Sequence, residues 1–482
     1  MSTSLIVIIS LCYIVLLLLV ARVAARGGDN STFFTGGRKM AWGWVALGMI
    51  GAPMSGVSFI SVPGSVATDG FSYMIMVAGF TLGQVVIALL ILPLLYRLRV
   101  TSLYQYLDHR FGTLAHRAGA MLFIGSKLSV TALKLFAFLI VAETLLKMGS
   151  NLSFALSATL LVVIIWAFTR NGGVKSVVWT DVLQSIMLIG AVVVTIVTIP
   201  ITLDISFGEM LREVWQSPHS ELLPEGAATL ARTPLQLFFG GVFILIAMTG
   251  LDQDMMQRNL SCKSLKSAQK SIYTTALAQA GVIFMLLVMG AMLYIYADRV
   301  ALGEVDGDRV YAMVATHSLM PLVVGVMFIL GMLSSSLSTA GSALTALTTS
   351  YTYDIYGEER IADSKALKQI RGRVHIVMAV AVLLLIILFR SLTSTSLISL
   401  LFSVVSYLYG PILALFVFGI VSKRMLRSRW LMAVIIASPI LAATLKYCAH
   451  TIGYNIGFEL IIYNALICFL GLYAISYNEK SL

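Results

Sequence analysis

Thirteen predominantly apolar stretches run along the chain, centred near residues 13, 54, 84, 133, 160, 186, 246, 283, 335, 381, 408, 438 and 467. A helix needs roughly 20 apolar residues to cross the hydrocarbon of a bilayer. The polar residues fall in short segments between the stretches. This pattern predicts an all-α polytopic membrane protein with about thirteen transmembrane helices.

The basic residues test that count. The first stretch has Arg22 and Arg26 after it and neither Lys nor Arg before it, the reverse of a signal peptide. It reads as a retained first span with its N-terminus outside. The loops then alternate, with 24 Lys and Arg on cytoplasmic segments, the cluster Arg258–Lys270 among them, and 7 on outside ones; Lys127 and Lys134, inside the fourth stretch, complete the 33. One span too many or too few would invert every later loop and spoil the bias. The expected location is the inner (plasma) membrane, with a cytoplasmic C-terminus.

Composition removes the alternatives. Of 482 residues 59% are hydrophobic and 11% charged, against roughly 25% charged in soluble domains. The net charge of +11 does not mark a nucleic-acid binder, because the basic residues form scattered clusters and no single patch. Cys12, Cys262, Cys448 and Cys468 form no CxxC pair, so they suggest neither a zinc site nor a disulfide framework. Nothing resembles a nucleotide-binding loop or a catalytic triad, so the chain reads as a non-enzyme without a cofactor. The longest outside loop, about Thr202–Thr233, is acidic and carries Pro218 and Pro224.

Two stretches are interrupted. The second reads Gly51-Ala-Pro-Met-Ser-Gly56, where Pro53 lacks a backbone donor; the seventh reads Met248-Thr-Gly-Leu-Asp-Gln-Asp254, with two acids inside an apolar run. They lie five spans apart. Paired interrupted helices at corresponding positions point to an inverted-repeat transporter with its site near the bilayer midplane.

Ordered motifs carry a resemblance. Phe34-Thr-Gly-Gly-Arg38, Met54-Ser-Gly56 with Pro63-Gly64, Ser102–Gly112, Gly172–Gln184, Gln257-Arg258, Ser267–Lys270 and Ser334–Tyr356 follow one another as in the sodium:solute symporters. The chain resembles that family over nearly its whole length, with features of the proline, sialic acid and monocarboxylate carriers. The resemblance implies a LeuT-like core of five-plus-five inverted repeats. The expected organisation is a first helix and loop (1–40), a first repeat (41–200), an outside loop (201–233), a second repeat (234–425), and two C-terminal helices with a short tail (426–482).

Sodium is a hard cation that takes oxygen ligands, and bare carbonyls occur inside a membrane only where a helix unwinds. Unwound backbone at Gly51–Met54 would supply carbonyls. The ninth stretch supplies hydroxyls, with Ser335, Ser338 and Ser342 on one helical face. The resemblance makes Ser338 and Thr339 the paired hydroxyl ligands and Gly51, Met54 and Ser335 carbonyl donors. It places a candidate second sodium at Asp181 with Ser342, although Gly341 stands where one serine of that site is expected. Sodium enters as co-substrate, not as a resident metal.

The expected solute site lies between the interrupted helices. The resemblance offers Ser55 and Ser58 on the first; Asp252, Gln253 and Asp254 lie on the second. Gln84 is the only strongly polar residue of the third stretch, where sugar carriers place an acid, and Gln279 stands where they carry a lysine. A galactose-type solute is therefore disfavoured against an anionic or zwitterionic one. Lys127 and Lys134 share a face of the fourth span. Lys127 can snorkel to the cytoplasm. Lys134 sits near mid-membrane, where a charge costs about 3 kcal/mol or more. It either binds an anionic solute or pairs with Asp252 or Asp254. The expected function is sodium-coupled uptake of a small organic solute. The alternatives are proton coupling through Asp181 or Asp254, and a solute sensor, which the short Tyr477–Leu482 tail disfavours.

Overall fold

The computed structural model describes the whole chain apart from residues 1–2, 25–38, 52–53, 55, 99–101, 147–149, 171–172, 224–232, 304–306, 358–363, 393–396 and 479–482. Phe34–Arg38, Pro53, Ser55 and Pro224 therefore lie outside the described residues. The apolar stretches form helices α1 (Thr3–Ala24), α2 (Trp42–Gly51), α3 (Gly56–Gly64), α4 (Tyr73–Leu98), α5 (Thr113–Leu145), α6 (Asn151–Thr169), α7 (Gly173–Thr202), α8 (Pro234–Gly250), α9 (Gln253–Leu260), α10 (Leu265–Arg299), α11 (Leu322–Gly357), α12 (Ser364–Leu392), α13 (Leu397–Val421), α14 (Ser428–Thr451) and α15 (Leu460–Ala474).

Among the described residues ten helices are long and apolar enough to cross a membrane, and twelve spans result if each bent pair, α2–α3 and α8–α9, counts as one. The thirteenth predicted stretch forms α15, only 15 residues long, which is short of a full crossing. The lipid-facing pattern is visible on α1. Tyr13, Leu17 and Ala21, four residues apart, are buried, whereas Leu11, Val15 and Leu19 are more than half exposed. An apolar surface of this kind is tolerated only against hydrocarbon.

Helix α11 is the centre of the bundle. It packs most extensively along α7 and also touches α1, α5, α6 and α12, and every described residue from Gly331 to Ser350 is buried. Small side chains permit this closeness. Where α4 crosses α8, a Cβ at Gly79 would strike the Phe238 carbonyl, and one at Gly241 would strike that of Met76.

The segment Ser102–Gly112 is a tether beneath this core. Its short helix Gln105–Phe111 ends at Gly112, whose φ of 84° favours glycine. Ser102 Oγ donates to Asp354 Oδ2 at 2.8 Å, and His116 Nε2 lies 2.9 Å from Asp354 Oδ1. This network fastens the segment to the last turn of α11. In the acidic loop, Ser206 and Glu209 form a reciprocal capping box on helix Phe207–Gln216.

Candidate functional site

The interruption between α8 and α9 has a clear local cause. The last turn of α8, Ile246–Gly250, widens into a π-helix, and Asp252 follows in extended backbone (φ −100°, ψ 121°). A Cβ at Gly250 would approach Ile91 Cδ1 to 2.7 Å and Ile87 Cγ1 to 2.8 Å, so the glycine lets α8 lie this close to α4 without moving those side chains. The Asp252 carboxylate then accepts the Asp254 amide at 2.9 Å and caps α9. The two axes diverge by 64°. The tether fixes the turn from below, as Gln253 Oε1 accepts the Leu103 amide at 2.7 Å and Tyr104 donates its hydroxyl to Leu251 O at 2.8 Å.

A chain of buried charges starts at this turn. Lys127 Nζ on α5 lies 2.9 and 3.1 Å from the two oxygens of Asp252 and 3.0 Å from Asp254 Oδ2. Tyr409 on α13 donates to Asp252 Oδ2 at 2.9 Å. Arg258 bridges Asp254 Oδ1 at 3.3 Å and Asp181 Oδ2 on α7 at 3.1 Å. From α11, Ser342 donates to Asp254 Oδ2 at 3.0 Å and Ser338 donates to Asp181 Oδ1. Five helices thus meet through three acids and two bases, all buried. Low dielectric strengthens such pairs, and removing one partner strands a charge.

Lys134 lies two helical turns from Lys127 on the same face of α5, about 10 Å along the axis. Its side chain lines a cavity bounded by both bent helices, with Ser58, Thr249 and Gln279 as polar groups and Phe80, Met248 and Phe402 among its apolar walls. Asp252 and Tyr409 reach the same cavity. Among the described residues no carboxylate forms an ion pair with Lys134.

The interruption between α2 and α3 differs in chemistry. The two axes diverge by 56°. The Gly51 amide donates to Ser185 Oγ on α7 at 3.0 Å, and a Cβ at Gly51 would come 2.5 Å from that oxygen. A Cβ at Gly56 would come 2.6 Å from Ser336 Oγ. The start of α3 therefore presses directly on the hydroxyl-rich stretch of α11. There Ser335 Oγ donates to Met332 O and Thr339 Oγ1 to Ser335 O, both at 3.0 Å. Both protons are spent on the helix itself, so lone pairs are what these hydroxyls can present to a cation.

The family profile of the sodium:solute symporters matches residues 33–437. The chain belongs to that family. It is 26% identical over 411 residues to the Homo sapiens sodium/iodide cotransporter, covering 82% of this chain and 62% of the relative. It is 29% identical over 331 residues to the Danio rerio sodium-coupled monocarboxylate transporter 2, covering 66% and 52%. The chain thus spans about half to three-fifths of the length of these relatives. The solved structure of a substrate-bound, outward-open sodium-coupled sialic acid symporter superposes with a TM-score of 0.82 at 19% identity, covering 97% of both chains. Mhp1, a nucleobase-cation-symport-1 family transporter, superposes with a TM-score of 0.57 at 15% identity, covering 93% of this chain and 95% of its own. These likenesses show the LeuT fold.

In this sodium:solute symporter, the residues singled out from sequence divide into groups. Met54, Ser58, Lys134 and Asp252 line the cavity. Gln253 is fully buried and turned to the tether, and Asp254 lies among charges below the cavity. Gln84 donates to Gln279 Oε1 at 2.7 Å and so joins the wall through a partner. Ser335, Ser338, Thr339 and Ser342 share the buried α11 stretch, with Asp181 against Ser338. Three expectations need correction. The acids are neutralised by Lys127, not by Lys134, and Lys127 does not snorkel to the cytoplasm. Arg258, taken from sequence as a cytoplasmic loop charge, is only 2% exposed and ties α9 to α7. Its position four residues after Asp254, on one helical face, is the signal that identifies it. Tyr409 carried no such signal, because its partner is 157 residues distant.

Proposed function

We propose that this symporter couples sodium entry to uptake of a small anionic or zwitterionic organic solute by alternating access. The observation that carries the proposal is Lys134, a buried cation opening into a cavity bounded by both bent helices. No carboxylate among the described residues pairs with that ammonium, and a bound solute carboxylate would give it a direct partner.

In this reading sodium sits at the α2–α3 turn, held by the carbonyls of Gly51, Met54 and Ser335 and the hydroxyls of Ser338 and Thr339. Asp181 and Ser342 are the candidate second position. The solute contacts Ser55, Ser58, Lys134 and the Asp252 end of α8–α9, while Gln84, Gln253 and Asp254 act through neighbours. The repeats run over 41–200 and 234–425, each opening with a bent helix. The relatives named for iodide and monocarboxylates support an anionic cargo. The chain spans the plasma membrane with its N-terminus outside, as the 24-to-7 distribution of Lys and Arg favours.

The test uses the purified full chain in sodium chloride and in choline chloride. Sodium should raise its melting temperature in a concentration-dependent way, and a sodium gradient should drive solute uptake into proteoliposomes. Equal melting in both salts would overturn sodium coupling. Cysteine labelling of intact cells at Ser4 should succeed with an impermeant reagent, and at Glu479 should fail; the reverse would overturn the orientation.

A further inference from the structure

We infer that the cavity selects monocarboxylates with an apolar body and rejects the corresponding amino acids and dicarboxylates. This rests on the proposed solute site and narrows its cargo. It follows from which charges in the cavity are already spent.

The carboxylate that reaches the cavity has no oxygen to spare. Asp252 Oδ1 accepts Lys127 at 3.1 Å and the Asp254 amide at 2.9 Å; Oδ2 accepts Lys127 at 2.9 Å and Tyr409 at 2.9 Å. Asp254 is likewise committed, to Lys127, Ser342 and Arg258. A solute ammonium would have to displace Lys127 from two acids, in a cavity that two lysines already line. Lys134 stands in the opposite condition, with its ammonium in the cavity and no carboxylate partner among the described residues. The anion half of an amino acid is provided for, and the cation half is not.

A second carboxylate on the solute is not provided for either. Lys127 also lines the cavity but is held by Asp252 and Asp254, so a dianion would carry a charge with no cation to meet it into a low-dielectric interior. The walls decide the rest of the solute. Phe80, Val130, Met248, Ile283, Leu401 and Phe402 line the cavity, and they suit an alkyl or aryl body better than one covered in hydroxyls.

The test presents one carbon skeleton with different charges. Isocaproate, leucine and isocaproamide differ only at the ammonium or the carboxylate; benzoate adds an aromatic monoanion and glutarate a dianion. Binding to the purified full chain is measured by calorimetry and melting shift, in sodium chloride and in choline chloride. Isocaproate or benzoate should bind in sodium, with leucine and glutarate at least about tenfold weaker and the amide not detected. Lys134→Met should abolish monoanion binding and Lys134→Arg should retain it. If Lys134→Met fails to fold, the wild-type series alone decides. Leucine binding as well as isocaproate, or no binding of either monoanion, overturns the inference while leaving symport intact. Monoanion binding that is equal in choline overturns sodium coupling and leaves the head-group preference standing.

Discussion

The two bent helices are filled in opposite ways. At α8–α9 the turn holds fixed charge, with Asp252 and Asp254 clamped by Lys127, Tyr409 and Arg258. At α2–α3 neither helix carries a charged residue; Gly51 packs on Ser185 and Gly56 on the hydroxyls of α11, and charge enters only through neighbours, as where Ser338 donates to Asp181. The first turn carries its own counter-ions and has little reason to change when a ligand arrives. In the proposed reading the second offers hydroxyl lone pairs to sodium, so that one bend is a strut and the other a receptor for a mobile ion, although both arise from a helix interrupted inside the membrane.

The largest effect should come from the strut. Lys127→Met leaves two buried acids without their shared cation, and breaking such a pair costs about 3–5 kcal/mol. A steep fall in melting temperature is expected in detergent. Lys127→Met combined with Asp254→Asn should recover part of the loss, because one stranded charge is gone. Independent, additive losses in the two singles and the double would show that the strut does not act as a unit.

A smaller effect is expected at the neutral bend. Gly51→Ala forces a methyl against Ser185 Oγ, at 2.5 Å before relaxation, and overpacking of this kind costs about 1–3 kcal/mol. Adding Ser185→Ala opens the space but also leaves the Gly51 amide without its acceptor, so rescue should be partial. A Gly51→Ala protein as stable as wild type would mean that α2 does not pack on α7 this closely.

Much of this contrast was legible in the sequence. Pro53 flanked by Gly51 and Gly56, and Gly250 followed by two acids, marked both bends, because helix interruption is a local property of backbone chemistry. The face shared by Ser335, Ser338 and Ser342 followed from helical period alone. What pairs with what was not legible. Lys127 and Lys134 are equivalent by period, and only the packing of α5 against the α8–α9 turn assigns the acids to Lys127. Arg258 was misread because a basic residue after an apolar run looks like a loop charge, while α9 continues past it to Leu260.

Sodium response should separate the bends without touching the fold. Ser338→Ala and Thr339→Ala remove hydroxyls at the neutral bend, and each should weaken apparent sodium affinity by about tenfold, or roughly 1.4 kcal/mol. Stability without sodium should hardly change, since Asp181 keeps Arg258 at 3.1 Å when Ser338 is lost. Titration of the melting temperature with sodium chloride is the measurement. Unchanged sodium dependence in both variants would remove the ion from this bend.

The smallest stability effect should come from Lys134, and its smallness is informative. Lys127 and Lys134 are the same residue type on the same face of α5, seven positions apart and both buried. Were burial alone the issue, the two methionine variants would behave alike. They should not, because Lys127 touches two acids, whereas Lys134 touches none among the described residues. Lys134→Met strands no carboxylate and removes a charge that is expensive to bury. Its melting temperature without solute should match or slightly exceed that of wild type. A loss as large as that of Lys127→Met would show that Lys134 also serves the acids, and the two turns of α5 would then be parts of one strut. A stable Lys134→Met protein that no longer binds carboxylate would leave Lys134 one remaining role, the charge held open for the solute.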